Sequence, residues 1–221
     1  MSFNIAIDGP AGAGKSTIAK RAAKELSFIY VDTGAMYRAI ALGLLRQGTN
    51  VADMSDLASA LDKIEVSIGY ENGEQCVYLN GENVSGLIRT EEVSSMASVS
   101  SAYQIVRDKL TDLQRGLAAR ENVLMDGRDI GTLILPNAQL KIYLTASVET
   151  RAMRRYLEMK AKGVDCELKE IEADIAERDY RDMNRETAPL KQADDAVLVD
   201  SSDMTIDQVV ERIVSLARER M

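Results

Sequence analysis

The feature that most constrains the fold is a glycine-rich segment at residues 9–17, which fits the pattern G-x-x-x-x-G-K-S/T. An apolar run at 3–8 precedes it and helical sequence at 14–26 follows it. In this context the pattern predicts a phosphate-binding loop, because glycines let backbone N–H groups turn inward and the helix start adds its positive dipole end. We expect Lys15 to reach the outer phosphates and the Ser16 hydroxyl to bind magnesium. The residues predicted to bind the nucleotide are Gly9, Pro10, Ala11, Gly12, Ala13, Gly14, Lys15, Ser16 and Thr17.

The rest of the chain alternates between strand and helix patterns. Further buried strands are predicted at 28–32, 122–126, 140–146 and 196–200, and helices at 34–46, 147–162, 167–185 and 205–220. This alternation predicts an α/β fold, with a five-stranded parallel sheet flanked by helices.

An interruption of this pattern lies near residue 63. Polar and apolar residues alternate over 64–84, and Asn-Gly pairs at 72–73 and 80–81 are strong signals for hairpin turns. We therefore expect a small antiparallel insert over about 63–86, followed by helical sequence from Thr90 to about residue 120.

Composition limits the classes of ligand. The 221 residues include 27 Lys and Arg against 35 Asp and Glu, a net charge of −8, and no His. No uniform basic surface is expected, which excludes nucleic-acid backbones, so anionic ligands must meet local groups of Lys and Arg. Cys76 and Cys166 lie outside any CxxC pattern, which favours reduced thiols over a single disulfide. With no signal peptide or membrane-length apolar run, a soluble, cytoplasmic protein is expected.

Arginines on the helix at 167–185 predict an anion site. Arg178, Arg181, Asp182 and Arg185 share an arc of about 100° on an ideal helix. Cations on one face repel one another unless an anion lies against them, which favours a role facing phosphate. The alternative is a solvated face on which neighbouring carboxylates pair with these arginines.

A second group of arginines lies on the preceding helix. Arg151, Arg154 and Arg155 are followed by a hydrophilic connection that contains Gly163. This pattern predicts a mobile lid over about 151–168 that closes on the phosphates and excludes water. An ordinary charged helix face is the alternative.

Two predicted strands end in polar segments. Residues 32–38 follow the second strand, where we expect Thr33 to cap a helix, and residues 126–129 follow the third. Ligands of open α/β sheets bind beyond the carboxyl ends of the strands, so both segments are candidates for substrate contact. A helix cap and a turn would explain them about as well.

Taken together, these blocks resemble the bacterial cytidylate kinases of the nucleoside monophosphate kinase superfamily. The matching segments are IAIDGPAGAGKST, VDTGAMYRA, NGENVSGLIRTEEV, LMDGRDIGT, LPNAQLKIYLTAS, RAMRR and RDYRDMNRETAPLKQADDAVLVDSS. The resemblance implies a kinase core at 1–36 and 105–221 and a monophosphate-binding domain at 37–104. It also implies ATP as phosphoryl donor, Mg²⁺, CMP or dCMP as acceptor, and a monomeric enzyme without nucleic-acid or membrane partners.

The resemblance also implies roles for individual residues. Arg38 and Arg128 would hold the acceptor phosphate, with Tyr37 and Thr33 near it. Cytosine would be read by Ser98, Arg107 and Asp129. Asp182 and Arg178 would bind the ribose. The residues that would act on the transferring phosphoryl group are Lys15, Arg128, Arg154, Arg181 and Arg185.

Two other functions remain compatible with the residues alone. The first is a kinase that acts on another monophosphate or on a hydroxyl acceptor such as shikimate. A hydroxyl acceptor would need a general base, which Asp32 or Asp126 could supply. The second is a module that hydrolyses or senses ATP without a small substrate. The arginine segments argue against it, because a sensor has no use for a second anion site.

Overall fold

The computed structural model describes residues 2–221. The strands within this range are β1 (Asn4–Asp8), β2 (Ile29–Asp32), β3 (Val66–Glu71), β4 (Glu74–Leu79), β5 (Glu82–Asn83), β6 (Val123–Gly127), β7 (Leu140–Thr145) and β8 (Val197–Asp200). The helices are α1 (Lys15–Leu26), α2 (Thr33–Gln47), α3 (Met54–Asp62), α4 (Glu91–Ser100), α5 (Gln104–Arg120), α6 (Val148–Ala161), α7 (Leu168–Asn184) and α8 (Ile206–Arg218). A short π-helical turn spans Ile130–Ile134.

The predicted α/β fold is confirmed. Five strands form one parallel sheet in the order β2-β6-β1-β7-β8, and three form an antiparallel sheet in the order β3-β4-β5. The crossover order places β1 at the centre, paired with β6 on one side and β7 on the other. Contacts divide the chain into two units, one of residues 2–30 with Glu121–Met221 and one of Val31–Arg120.

The core of the first unit lies between the sheet and two helices. Buried side chains of β1, β6, β7 and β8 pack with those of α1 and α8. Helix α8 is amphipathic, with Val210 and Ile213 among its buried residues, and a capping box of Thr205 and Gln208 fixes its start. A smaller apolar cluster joins α6 to α7 through Ala152, Ile171 and Ile175.

The second unit contains the antiparallel sheet and helices α2 to α5. Both Asn-Gly pairs form the predicted tight turns, with φ values of 53° and 78° at Asn72 and Gly73. A Cβ atom on Gly43 of α2 would lie 2.8 Å from Cδ1 of Ile64, which precedes β3, and 3.3 Å from Cδ1 of Leu79 in β4, so this helix packs closely against the sheet. Both cysteines of the chain, Cys76 and Cys166, are free thiols.

Two local features differ from the sequence prediction. Helix α3, which Asp53 caps by accepting from the N–H groups of Ser55 and Asp56, was not predicted. The helical sequence after Thr90 is two helices, separated at residues 101–103. At the break, the Ser101 hydroxyl bonds to the Ser98 carbonyl and competes with the helical pattern. No helix within residues 2–221 is long and apolar enough to span a membrane.

Candidate functional site

The phosphate loop, residues 9–17, joins the end of β1 to the start of α1. Gly9, Gly12 and Gly14 have φ values of 153°, 76° and 81°, which favour glycine. A Cβ atom on Gly9 would lie 1.9 Å from the Leu144 carbonyl oxygen, so a side chain cannot be accommodated there. Helix α1 begins at Lys15, and its first N–H groups therefore belong to the loop.

Lys15 lies buried against the loop that precedes it. Its ammonium donates to the carbonyl oxygens of Gly9 and Pro10, both at 2.8 Å. Burial, and then the nearby Arg128 guanidinium, hold the pKa of Lys15 well below its ordinary value. Two cations that share a buried region oppose each other, so this site favours an anion.

Ser16 is joined to the end of β6. Its hydroxyl donates to Asp126 Oδ2 at 3.0 Å, and the Tyr30 hydroxyl donates to Asp126 Oδ1 at 2.9 Å. A hydroxyl and a carboxylate oxygen are the hard ligands that Mg²⁺ prefers, supplemented by waters and substrate phosphates. Ser16 and Asp126 therefore fit a magnesium ion bound with a nucleotide.

Asp8, at the carboxyl end of β1, holds the turn that follows β6. Its two carboxylate oxygens accept from the N–H groups of Ile130 at 2.8 Å and Gly131 at 2.7 Å. Burial raises the pKa of Asp8 to about 6, although both backbone hydrogen bonds act in the opposite direction. The carboxylate thus fixes the backbone directly after Arg128 and Asp129.

The structure brings together most of the arginine segment predicted on α7. Arg128 Nε donates to Asp182 Oδ2 at 2.8 Å, and Arg185 Nη2 lies 3.9 Å from Asp129 Oδ1. Burial alone would raise the pKa of Asp182, but Arg128, Arg178 and Arg185 outweigh it and lower the pKa. Burial acts to lower the pKa of Arg128, and its acidic neighbours, Asp182 foremost, outweigh it and raise the pKa.

Other predicted arginines stand apart from this group. Arg181 is exposed, and its Nε lies 3.7 Å from Glu177 Oε1, an ion pair of the kind expected for a solvated face. Arg154 donates to the Ser201 carbonyl at 2.6 Å and to the Ser201 hydroxyl at 3.2 Å. Arg151 is buried in an ion pair with Asp179.

In the second unit, Asp32 organises the start of α2. The carboxylate of Asp32 accepts from the Ala35 N–H at 2.8 Å, so Asp32 caps this helix and the predicted cap at Thr33 is wrong. Thr33 is instead its first residue and buried. The same carboxylate lies 3.2 Å from Arg38 Nη2 and 3.5 Å from Arg89 Nη2.

Tyr37 and Arg107 also meet within this unit. The Arg107 guanidinium carbon lies 5.4 Å from the centre of the Tyr37 ring, a cation–π contact. Arg107 is buried and donates to the Ser101 carbonyl at 3.2 Å, which ties it to the end of α4. Ser98 is half-buried on α4, and its carbonyl accepts from the Ser101 hydroxyl.

Several residues of these clusters were not singled out from the sequence. They are Asp8, Tyr30, Arg89 and Asp179. Asp8 offered one usable signal, a carboxylate at a buried strand end directly before the phosphate loop. The partners of Tyr30 and Asp179 are 96 and 168 positions away in the chain, and no local pattern indicates them.

The parallel sheet, the phosphate loop after its central strand and the buried Lys15 with Arg128 near it define a P-loop nucleotide-binding protein. The family model described as cytidylate kinase matches residues 5–219. The chain therefore belongs to the cytidylate kinase family, as the resemblance predicted.

Curated relatives agree over nearly their whole length. The cytidylate kinase of Shouchella clausii is 48% identical, and the match covers 98% of this chain and 96% of that protein. The cytidylate kinase of Streptococcus pneumoniae is 47% identical over 100% of this chain and 99% of that protein. Among solved structures, an uncharacterized protein from Eubacterium ventriosum has a TM-score of 0.53 at 14% identity, with all of both chains covered. That likeness concerns the fold alone.

Proposed function

We propose that this protein transfers the γ-phosphoryl group of ATP to CMP or dCMP, with ADP and CDP or dCDP as products. The observation that carries the proposal is a pair of neighbouring cations, the buried Lys15 and the half-buried Arg128, in a chain of this family. Their mutual repulsion is relieved when polyanionic phosphates lie between or beside them.

The acceptor phosphate requires no strong base, because it is already anionic near pH 7. The barrier lies in bringing two polyanions together, and cations must offset their repulsion. Lys15 binds the γ-phosphoryl group in this proposal, while Arg38 and Arg128 bind the acceptor phosphate. Three further arginines contact phosphates during transfer: Arg154, Arg181 and Arg185. For this, Arg154 must leave its present partner Ser201, and Arg181 must leave Glu177.

The rest of the assignment follows the family pattern. Ser98, Arg107 and Asp129 recognise cytosine, Asp182 and Arg178 bind the ribose, and Thr33 and Tyr37 support the acceptor phosphate. Ser16 binds Mg²⁺ directly and Asp126 binds it directly or through a water. When bound, the ion neutralises charge that develops on the phosphate oxygens.

A hydroxyl acceptor is the weaker candidate. It would need Asp32 or Asp126 as a base. Asp32 already accepts from Ala35 N–H and lies beside two arginines, and Asp126 accepts from two hydroxyls. Both carboxylates are thus engaged with neighbouring groups of the protein, and either would have to exchange these contacts to reach an acceptor hydroxyl.

ADP release tests the proposal directly. The purified protein is supplied with ATP and Mg²⁺ and, in parallel, with CMP, dCMP, UMP, AMP or shikimate. We expect strong preference for CMP and dCMP. Faster release with UMP or AMP would discard the cytosine assignment, and release independent of every acceptor would identify an ATPase or sensor instead. Sedimentation of the same sample tests the proposed monomer.

A further inference from the structure

A buried ion pair between α6 and α7 is hydrogen-bonded to the backbone of the phosphate loop. Arg151 on α6 and Asp179 on α7 are 4% and 7% exposed, and Arg151 Nη1 lies 2.6 Å from Asp179 Oδ2. Both reach Ala11: the Ala11 N–H donates to Asp179 Oδ1 at 3.3 Å, and Arg151 Nη1 donates to the Ala11 carbonyl at 2.8 Å. We refer to Arg151 and Asp179 as the Arg151–Asp179 clasp.

The clasp is connected to Lys15 through a single peptide group. The peptide between Pro10 and Ala11 accepts from Lys15 Nζ at its carbonyl oxygen and donates to Asp179 through its N–H. Because a peptide group is planar, rotation of this group would disturb both contacts together. The position of the Lys15 ammonium is therefore coupled to the carboxylate of Asp179.

The surroundings leave the loop little room to move away from the clasp. Arg151 Nε donates to the Ala146 carbonyl at 2.9 Å, directly after β7. A Cβ atom on Gly12 would lie 3.3 Å from Arg151 Cβ and 3.8 Å from Ile175 Cδ1, so the loop backbone packs against both helices. A bulkier residue at position 12 would press on this contact.

Stability alone gives a weak reason for such a pair. Desolvation of two buried charges offsets much of their attraction, and apolar residues of similar volume often stabilise a fold as well. What apolar residues cannot do is hold an N–H and a carbonyl of the loop. We propose that Arg151 and Asp179 are positioning residues, which orient the Pro10–Ala11 peptide and thereby place Lys15 and the loop N–H groups for the phosphates of ATP. This inference rests on the proposed function only in that the loop binds ATP.

Binding of ADP with Mg²⁺, measured by titration calorimetry without any acceptor, is the first test. Asp179→Asn preserves the shape of the side chain and removes its charge. We expect the Kd for ADP to rise about tenfold or more, and kcat/KM for ATP to fall about 10- to 100-fold, since small misplacement of reacting groups has effects of this size. The KM for CMP should stay within about twofold in this variant.

Asp174→Asn is the matched control. Asp174 is exposed on the same helix, and the substitution makes the same change of charge. Its Kd for ADP should equal that of the unmodified protein. If Asp179→Asn weakened the binding of ADP and of CMP equally, α7 would be generally displaced, and the proposal would be overturned. A lower Tm with an unchanged Kd for ADP would overturn it as well.

A second variant keeps the test decisive if the single substitution prevents folding. Arg151→Met with Asp179→Leu removes both charges and leaves neither buried without a partner. We expect this double variant to fold, as judged by circular dichroism, and still to bind ADP about tenfold more weakly. Binding as tight as in the unmodified protein would refute the inference. Because ADP binding needs no acceptor, these results are independent of whether CMP is the substrate.

Discussion

At the scale of single residues, the main feature of this protein is the burial of charged side chains near the phosphate loop. Lys15 and Asp8 are buried and Arg128 is half-buried. Lys15 binds carbonyl groups of its own loop, whereas Arg128 and Asp8 bind groups from distant segments. Removing water from such groups is costly, and it strengthens their interaction with a ligand of opposite charge. Their roles can therefore be separated by single substitutions.

Lys15→Ala should reduce turnover with CMP by several orders of magnitude. The substitution removes the cation that contacts the transferring phosphoryl group, and loss of one such electrostatic contact costs about 10²–10³ in kcat. Steady-state kinetics and circular dichroism together measure the effect. Lys20→Ala, on the exposed side of the same helix, serves as the control. Near-normal turnover in Lys15→Ala would refute the assignment of the phosphate loop.

The raised pKa of Asp8 predicts that the free energy of unfolding depends on pH. Its pKa in the folded protein, about 6, lies above its ordinary value of 3.8, so the folded state binds more protons between these pH values. The free energy of unfolding should therefore gain up to about 3 kcal/mol from Asp8 as pH falls from about 6 to 4, and lose it again as pH rises. Urea unfolding of the protein and of Asp8→Asn at several pH values measures this, because the variant lacks that part of the dependence.

Protonation of Asp8 should also lower the activity at acidic pH. A protonated carboxyl carries an O–H on one oxygen and can no longer accept well from both Ile130 and Gly131. The turn that carries Arg128 and Asp129 would loosen, so kcat/KM for CMP should fall below about pH 6. In Asp8→Asn this decrease at acidic pH should disappear and activity should stay low throughout. An unchanged decrease in the variant would assign the titration to another group.

At the scale of elements, helix ends and turns are determined locally. Gly48 ends α2 with a φ of 65°, and the Thr205 side chain caps α8. Breaks between elements depend on more than one segment. The end of α4 is fixed by Ser101 and by Arg107 of the next helix, whose guanidinium binds the Ser101 carbonyl.

Two glycine substitutions should have opposite effects on stability. Gly116 lies within α5, where alanine is favoured by about 0.8–1.0 kcal/mol. Gly81, in the second hairpin turn, has a φ of 83°, a conformation that costs an L-residue about 1–2 kcal/mol. Gly116→Ala should raise the free energy of unfolding and Gly81→Ala should lower it, both in urea titrations. Since a Cβ at Gly81 has nothing within 4 Å, a steric clash would not explain a loss there.

At the scale of the whole molecule, the parallel sheet organises the chemistry of the first unit. Asp8 ends β1, and Asp126 lies in β6 with Arg128 just beyond it. Parallel strands present their carboxyl ends along one edge, which is why these segments, far apart in the chain, lie close together. Net charge adds little to this, because the chain is acidic and the cations at this edge are individual residues, Lys15 and Arg128.

Ligand binding should stabilise the folded protein. ADP with Mg²⁺ at about 100 times its Kd adds about 2.7 kcal/mol, which corresponds to a rise in Tm of about 5–10 °C for a chain of this size. Differential scanning fluorimetry measures the shift. Lys15→Ala should show a much smaller one at the same ADP concentration, and an equal shift would mean that ADP binds elsewhere.

Local sequence patterns were sufficient to identify the class of fold and the family. Periodicity, glycine pattern and Asn-Gly turns are local properties, and they predicted the parallel sheet, the phosphate loop and the antiparallel insert correctly. The short helix α3 and the break after α4 were not predicted. Local preferences are weak in both places, and the structure there depends on the helix cap at Asp53 and on the hydrogen bond from Arg107. Residue roles such as those of Ser98 and Arg154 remain predictions.

The pairing of charges, in contrast, depends on the packing of the folded chain. Arg151 and Arg154 are three positions apart on the same helix, yet one is buried against Asp179 and the other binds Ser201. Asp8, Tyr30 and Asp179 acquire their partners across 122, 96 and 168 positions of the chain. Sequence spacing reports neighbours within a helix or strand, whereas the burial that gives a charge its function arises from the packing of distant segments.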